Sequence, residues 1–241
     1  MDQREAHLHY IMSWIGGFLG VLSILCFSSL FGSAQTSNLI LLVTSLLGAD
    51  WGQLLLRLGG MALYMAAIAL TVYLPRRCCW DLRLISVALD GAAAAAVGLL
   101  PADIPPVLGL YPLFFAMAFQ WNSFSGAGGF VSSTIFSTNN LRQFTMAVTE
   151  IFLNHDCSHL PKAAFFGRTL LSFHAGVAVS FLLFPFFERR TAWFCLLPCA
   201  LAFFLVRARG RAVPPAEAVL EQEAAREEDA REPLRDPRPL P

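Results

Sequence analysis

Two short polar steps interrupt an otherwise apolar chain, and their side chains are the first that could bind a ligand. "QTSNL" at 35–39 and "STNNL" at 137–141 share the pattern Thr-x-Asn-Leu between apolar stretches. Amides and hydroxyls in such surroundings can hold a small polar or anionic solute, with help from helix N-termini. They can equally join helices, because polar contacts between membrane helices are common. The predicted substrate-binding residues are Gln35, Thr36, Asn38, Gln120, Asn122, Thr138, Asn139 and Asn140.

Asp90 is the second candidate for chemistry, because it lies inside the apolar stretch "VALDGAAAAAV". An ionisable residue within a membrane segment is costly and is by default a functional hypothesis. We predict that Asp90 carries a proton or a cation, with an ion pair to an arginine as the structural alternative. Arg57 lies near the end of an apolar segment, and we predict a structural role for it.

An enzyme is the least favoured class. Ser125 in "NSFSG" and His174 could form the serine–histidine dyad of an intramembrane protease, which needs only that pair close together. However, Ser123 replaces the first glycine expected of a Gly-x-Ser-Gly step, so we predict that the protein is not an enzyme. His155 and His159 have metal-ligand spacing but lie in a polar loop, and we predict neither a metal nor a cofactor.

Composition indicates the fold that must position these residues. Of 241 residues, 56% are hydrophobic and 14% are charged, about half the charged fraction of a soluble domain. Apolar stretches near 20 residues recur, which is the pattern of membrane-spanning helices. We therefore predict an all-α, polytopic integral membrane bundle of six to eight spanning segments over 1–206. Residues 207–241 are rich in Glu, Arg, Ala and Pro and predict a charged, disordered tail.

The two polar steps also indicate an internal duplication. An offset of 102 residues places Asn38 on Asn140 and Leu39 on Leu141. Each half then reads as an apolar helix, a polar break and a second apolar helix, as in transporters whose broken helices meet at a binding site. We predict one repeat over about 8–100, a second over about 106–206, and short broken helices at the two steps facing one central polar site.

Loop charges give a partial topology. "PRRCCWDLR" at 75–83 has three arginines and is predicted to face the cytoplasm, whereas "PADIPP" at 101–106 has none and is predicted to face outside. "ERR" at 188–190 and "RARGR" at 207–211 flank the last apolar segment on both sides, so one of them contradicts the positive-inside rule.

The order of these motifs resembles the YoaK family of bacterial membrane proteins of unknown function. "GGFLG" followed by "AQTSNL" is similar to the family's Gly-Gly-Phe-Leu-Asp and Ala-Gln-Thr-Gly-Asn-Leu segments, and "STNNL" matches its later Thr-Gly-Asn-Leu step. This chain has Gly20 where the family has Asp, and Ser37 and Asn139 where it has Gly. The resemblance implies a multi-pass protein of the bacterial inner membrane and names no substrate.

The expected function is a small-solute transporter or permease, with a non-transporting membrane scaffold as the alternative. The expected partners are the lipid bilayer and a small polar or anionic solute. Zero net charge predicts no nucleic-acid partner. Small residues at Gly16, Gly17 and 91–98 would allow close helix pairing, and thus a homo-oligomer.

Overall fold

The computed structural model describes residues 3–27, 35–101 and 103–208, and these are almost entirely helical. The prediction of an all-α polytopic bundle is confirmed. Apart from Arg207 and Ala208, the predicted tail lies outside the described residues. The helices are α1 Gln3–Cys26, α2 Gln35–Leu47, α3 Trp51–Arg77, α4 Leu82–Leu99, α5 Pro106–Gly109, α6 Tyr111–Ser123, α7 Thr138–Phe152, α8 Leu160–Phe187 and α9 Leu196–Arg207.

Short non-α segments connect some of these helices. Between α6 and α7, strand β1 (Gly126–Ala127) pairs antiparallel with β2 (Phe130–Val131). A 3₁₀ turn at Cys157–His159 precedes α8, and a longer 3₁₀ segment, Glu188–Cys195, joins α8 to α9. The residues directly after the hairpin lie against α1 and α7.

Within the described residues, four helical stretches are long and apolar enough to cross a membrane. They are α1, α3, α4 and the continuous stretch Cys157–Arg207, which contains both α8 and α9. The 24 residues of α1 extend about 36 Å, enough for a hydrocarbon core of about 30 Å. The structure thus supports several membrane spans, while α2, with 13 residues, is too short to cross alone.

Local sequence explains where the spanning helices begin. An Asp50 side-chain oxygen accepts a hydrogen bond from the Gln53 amide at the start of α3. An Asp81 side-chain oxygen accepts from the Arg83 amide at the start of α4. Such caps satisfy amide donors that a helix start leaves open.

The core surrounds α1, whose apolar side chains are largely buried. Met12, Ile15 and Phe18 have no exposed surface. α8 packs along α1 so closely that a Cβ at Gly17 would overlap the carbonyl oxygen of Phe173. The small-residue face at Gly17 is therefore used inside the chain, and a homo-oligomer stays a prediction.

The contacts between helices also give their directions. Tyr10 lies against Phe165 and Gly17 against Phe173, so α1 and α8 run parallel. α4 and α9 run antiparallel: Trp193, just before α9, lies against Gly98 near the end of α4, and Val206 shares a cavity with Leu84 near its start.

Candidate functional site

The second polar step is the centre of a buried hydrogen-bonded group, here called the Asn140 cluster: His9, Ser132, Ser133 and Asn140. The Asn140 amide nitrogen donates to the carbonyl oxygens of Ser133 at 2.7 Å and Phe136 at 3.1 Å. The Asn140 carbonyl oxygen accepts from the Ser132 hydroxyl at 2.9 Å, and that hydroxyl lies 3.0 Å from Nε2 of His9. Asn140 thereby ties α7 to the segment before it and to α1.

Gln120 extends the same contact region along α6. Its amide nitrogen donates to the carbonyl oxygen of Met12 at 2.8 Å and to the Thr134 hydroxyl at 3.0 Å. Gly16 permits this approach, because a Cβ there would overlap the carbonyl oxygen of Thr134. Gln120 therefore joins α6, α1 and the segment after the hairpin.

The first polar step forms a different group, here called the Asn38 cluster: Gln35, Asn38 and Arg57. The Asn38 amide nitrogen donates to the Gln35 side-chain oxygen at 2.9 Å and lies 3.5 Å from the Arg57 carbonyl oxygen. The Arg57 guanidinium donates to the Asn38 side-chain oxygen at 3.2 Å. The predicted structural role of Arg57 agrees with this contact, since it joins α3 to the start of α2.

Helix α6 shows that the two clusters are separate. The Tyr111 hydroxyl, at the first residue of α6, donates to the carbonyl oxygen of Leu56, next to Arg57. Gln120, which bonds Thr134, comes nine residues later, about 13.5 Å along the helix. Asn38 and Asn140 are both buried, but their hydrogen bonds go to different parts of the bundle. Solute binding at these residues stays a prediction.

The remaining predicted binding residues do not join either cluster. Thr36, Thr138 and Asn139 are exposed. The Asn122 amide nitrogen donates to the carbonyl oxygen of Ala118, one turn earlier in its own helix. Within both steps, the buried polar position is the asparagine directly before leucine.

Asp90 differs from every residue described so far. It has no exposed surface, and neither oxygen of its carboxyl group has a hydrogen-bond partner among the described residues. It is the ninth of the 18 residues of α4, so it lies about halfway across a helix long enough to span a membrane. The arginine partner considered from the sequence is not among its contacts in the described part of the chain.

The surroundings of Asp90 are small and weakly polar. Ser86, one turn earlier on the same helix, is also fully buried, and its hydroxyl has no partner within the described residues. The facing helix α9 brings Cys199 against Gly91, and Cys195 lies one turn before Cys199 with no exposed surface. A carboxyl group placed here is buried away from water and has no compensating cation bonded to it among the described residues, which is costly unless a proton or a bound cation neutralises it.

The hydrolytic alternative depends on Ser125 and His174, and the metal-binding alternative depends on His155 and His159. His174 is exposed on α8, and its Nδ1 lies 2.8 Å from the carbonyl oxygen of Leu170 in the same helix. Phe165, which packs against the hairpin that follows Ser125, lies nine residues before His174 in the sequence. Among the described residues, no three His, Cys, Asp or Glu side chains form a metal-binding group. In the His155–His159 loop, hydrogen bonding from Ser158 lowers the pKa of Asp156.

Sequence reasoning missed His9 and Ser132. His9 is 1% exposed and Ser132 is 2% exposed, although they are 123 residues apart in the chain. The available signal was a histidine in the first apolar segment. It named no partner, because that partner follows a hairpin far along the sequence.

A spanning helical bundle that buries two amide clusters and a carboxyl group between its helices defines a polytopic membrane protein. The family model described as "Protein of unknown function (DUF1275)" matches residues 8–206, and the chain belongs to that family. The match is consistent with the resemblance to the YoaK family. No curated protein and no solved structure matches the chain.

Proposed function

We propose that this protein is a small-solute transporter of a bacterial inner membrane, and that Asp90 is its proton- or cation-binding group. The observation that carries the proposal is a fully buried carboxyl, midway along a spanning helix, with no hydrogen-bond partner among the described residues. A group kept at such a cost is more readily explained by ion binding than by packing. A carboxyl that gains and loses a cation can couple ion movement to solute movement.

The pairing of helices supports the duplicated architecture that this proposal uses. If α1–α4 correspond to α6–α9, the main helix–helix contacts between the halves have counterparts. The contact of α1 with α8 corresponds to the contact of α6 with α3. The contact of α4 with α6 corresponds to the contact of α9 with α1. Within each half, α2 packs on α3 as α7 packs on α8. Paired halves of this kind are typical of secondary transporters.

The directions of the helices further support an inverted repeat. The Glu5 carboxylate, near the start of α1, forms an ion pair with Arg83 at 3.2 Å, so α1 begins at the end of the bundle where α4 begins. α6 runs the other way, from Tyr111 beside α3 to Gln120 beside Met12 in the first half of α1. Corresponding helices thus cross in opposite directions, as in transporters with a pseudo-two-fold axis in the membrane plane.

Arginine positions orient the bundle. Arg76, Arg77, Arg83 and Arg207 lie at one end, here called the arginine-rich face, because Trp80, Asp81 and Arg207 line one cavity. By the positive-inside rule we assign this face to the cytoplasm. The segment "ERR" then lies at the opposite end of α9 and is the exception to the rule.

A non-transporting scaffold is the second candidate, and one observation favours it. Asn38 and Asn140 both bond to side chains and backbone of the protein itself, as helix-joining residues do. In this alternative, Asp90 takes part in no ion movement.

Carbodiimide labelling tests the proposal directly, because dicyclohexylcarbodiimide reacts with protonated carboxyl groups in apolar sites. We expect labelling at Asp90 that falls as pH rises or as Na⁺ or K⁺ is added, with exposed Asp103 unlabelled as internal control. Purified protein in liposomes with a pH gradient should accumulate a solute from a metabolite mixture, and Asp90→Asn should not. If Asp90 is unlabelled at every pH and no solute depends on it, the scaffold alternative is favoured.

A further inference from the structure

A cavity lined by charged side chains opens at the end of the bundle opposite the arginine-rich face. Its volume is about 610 Å³, within the range of small-molecule sites. We call it the Arg190 cavity. Its walls include Gly98 and Leu99 at the end of α4, and Glu188, Arg189, Arg190 and Trp193 of the 3₁₀ segment.

Its polar wall is built from arginine and tryptophan. The Arg190 side chain is exposed, and its guanidinium carbon lies 6.0 Å from the centre of the Trp193 ring. Arg189 is anchored: it donates to the Pro101 carbonyl oxygen and lies 5.4 Å from the centre of the Phe27 ring. A guanidinium beside an aromatic ring suits an anion that carries an apolar or aromatic body.

Tight local packing holds this wall in place. Gly98 lets the Trp193 ring lie directly on α4, because a Cβ there would overlap the ring. The indole nitrogen of Trp193 lies 3.4 Å from the Ala95 carbonyl oxygen. Glu188, which directly follows α8, adopts a positive φ of 48°, a conformation uncommon for a residue other than glycine.

Arg189 and Arg190 lie at the end of the bundle opposite the arginine-rich face. On the proposed orientation they lie outside the cytoplasm, where the positive-inside rule disfavours Arg and Lys. Orientation therefore does not explain them; Arg189 has the structural contacts described above, whereas the exposed Arg190 is available to a ligand. The cavity also adjoins α4, and Gly98 lies eight residues beyond Asp90, about 12 Å along that helix.

We propose that the Arg190 cavity binds a small organic monoanion, a carboxylate or phosphate diester with an apolar or aromatic body, as the outer substrate site of the transporter. Arg190 pairs with the anionic group and Trp193 covers the body. The Glu188 carboxylate on the same rim disfavours a second negative charge. This inference rests on the proposed function and names its substrate class.

Equilibrium dialysis of radiolabelled benzoate against the full-length purified protein tests the site, with uncharged benzamide as the matched ligand. We expect saturable benzoate binding that Arg190→Gln weakens at least about tenfold and Arg190→Lys weakens less. Arg77→Gln is the control, because the Arg77 guanidinium lies 5.8 Å from the Tyr73 ring on the other face. It should leave benzoate binding unchanged, and melting temperatures should show that all variants fold.

Several results would overturn the inference: no saturable benzoate binding, equal binding of benzamide, or equal weakening by Arg77→Gln. A lipid headgroup is tested by repeating the titration in nanodiscs of phosphatidylcholine with and without phosphatidylglycerol. Loss of benzoate binding only with phosphatidylglycerol would assign the cavity to lipid and overturn the solute site. If benzoate binding depends on Arg190 but carbodiimide does not label Asp90, the coupling role of Asp90 is overturned and the Arg190 site is retained.

Discussion

Asn140 and Asp90 are both buried and polar, yet they are bonded in opposite ways. Asn140 uses both ends of its amide, donating to two carbonyl oxygens and accepting from Ser132. Neither oxygen of Asp90 has a partner among the described residues, although its burial is at least as complete. A buried group with its bonds complete stabilises the fold, whereas one without them costs free energy.

This difference distinguishes a polar group that joins helices from the carboxyl group for which we propose ion binding. The Asn38 cluster lies between the two extremes, because its contacts with Arg57 are longer, at 3.2 and 3.5 Å. We therefore expect three distinct effects when the three residues are replaced by leucine, with the cost falling from Asn140 through Asn38 to Asp90.

The largest effect is expected for Asn140→Leu. It removes three hydrogen bonds and leaves the carbonyl oxygens of Ser133 and Phe136 without that donor. We expect a loss of about 2–3 kcal/mol in the free energy of unfolding, measured by SDS titration in mixed micelles. The control Asn139→Leu changes an exposed neighbour and should alter this free energy by less than about 0.5 kcal/mol.

Equal losses from Asn139→Leu and Asn140→Leu would contradict the structural role of the Asn140 cluster. A ligand that stabilises the wild type and not Asn140→Leu would instead support solute binding at the polar step, because binding to the folded state raises its apparent stability.

A smaller effect is expected for Asn38→Leu, about 1 kcal/mol, because its contacts with α3 are longer and fewer. A double-mutant cycle with Arg57→Leu measures their coupling directly. We expect most of the loss to be shared between the two residues, while exposed Ser37→Leu has little effect. Additive losses would show that Asn38 and Arg57 do not support one another, and the Asn38 cluster would have to be abandoned.

The positions of the two asparagines at helix starts could be predicted because the signal is local. A polar step between apolar stretches indicates a break, and α2 and α7 begin at Gln35 and Thr138. The burial of Asp90 was likewise predictable from its apolar neighbours.

What could not be predicted is which residues meet. The separation of the Asn38 and Asn140 clusters depends on how α6 crosses the bundle, from Leu56 at one end to Thr134 at the other. His9 and Ser132 are joined only by the packing of α1 on the segment after the hairpin. Long-range contacts of this kind leave no periodic trace in a single sequence.

The smallest loss in the free energy of unfolding is expected for Asp90→Leu. This variant tests the contrast between Asn140 and Asp90 directly. Because the carboxyl has no bond to lose, an apolar replacement should leave the free energy of unfolding unchanged or raise it by about 1 kcal/mol. Asp81→Leu, at the N-cap of the same helix, is the matched control: it removes the cap of α4 and should cost about 1 kcal/mol. If Asp90→Leu instead costs about 3 kcal/mol or more, Asp90 has a structural partner, and its carboxyl belongs with Asn140 among the groups that hold the bundle together. A stable Asp90→Leu protein that has lost carbodiimide labelling and solute uptake would show that the fold tolerates this carboxyl and that ion binding needs it.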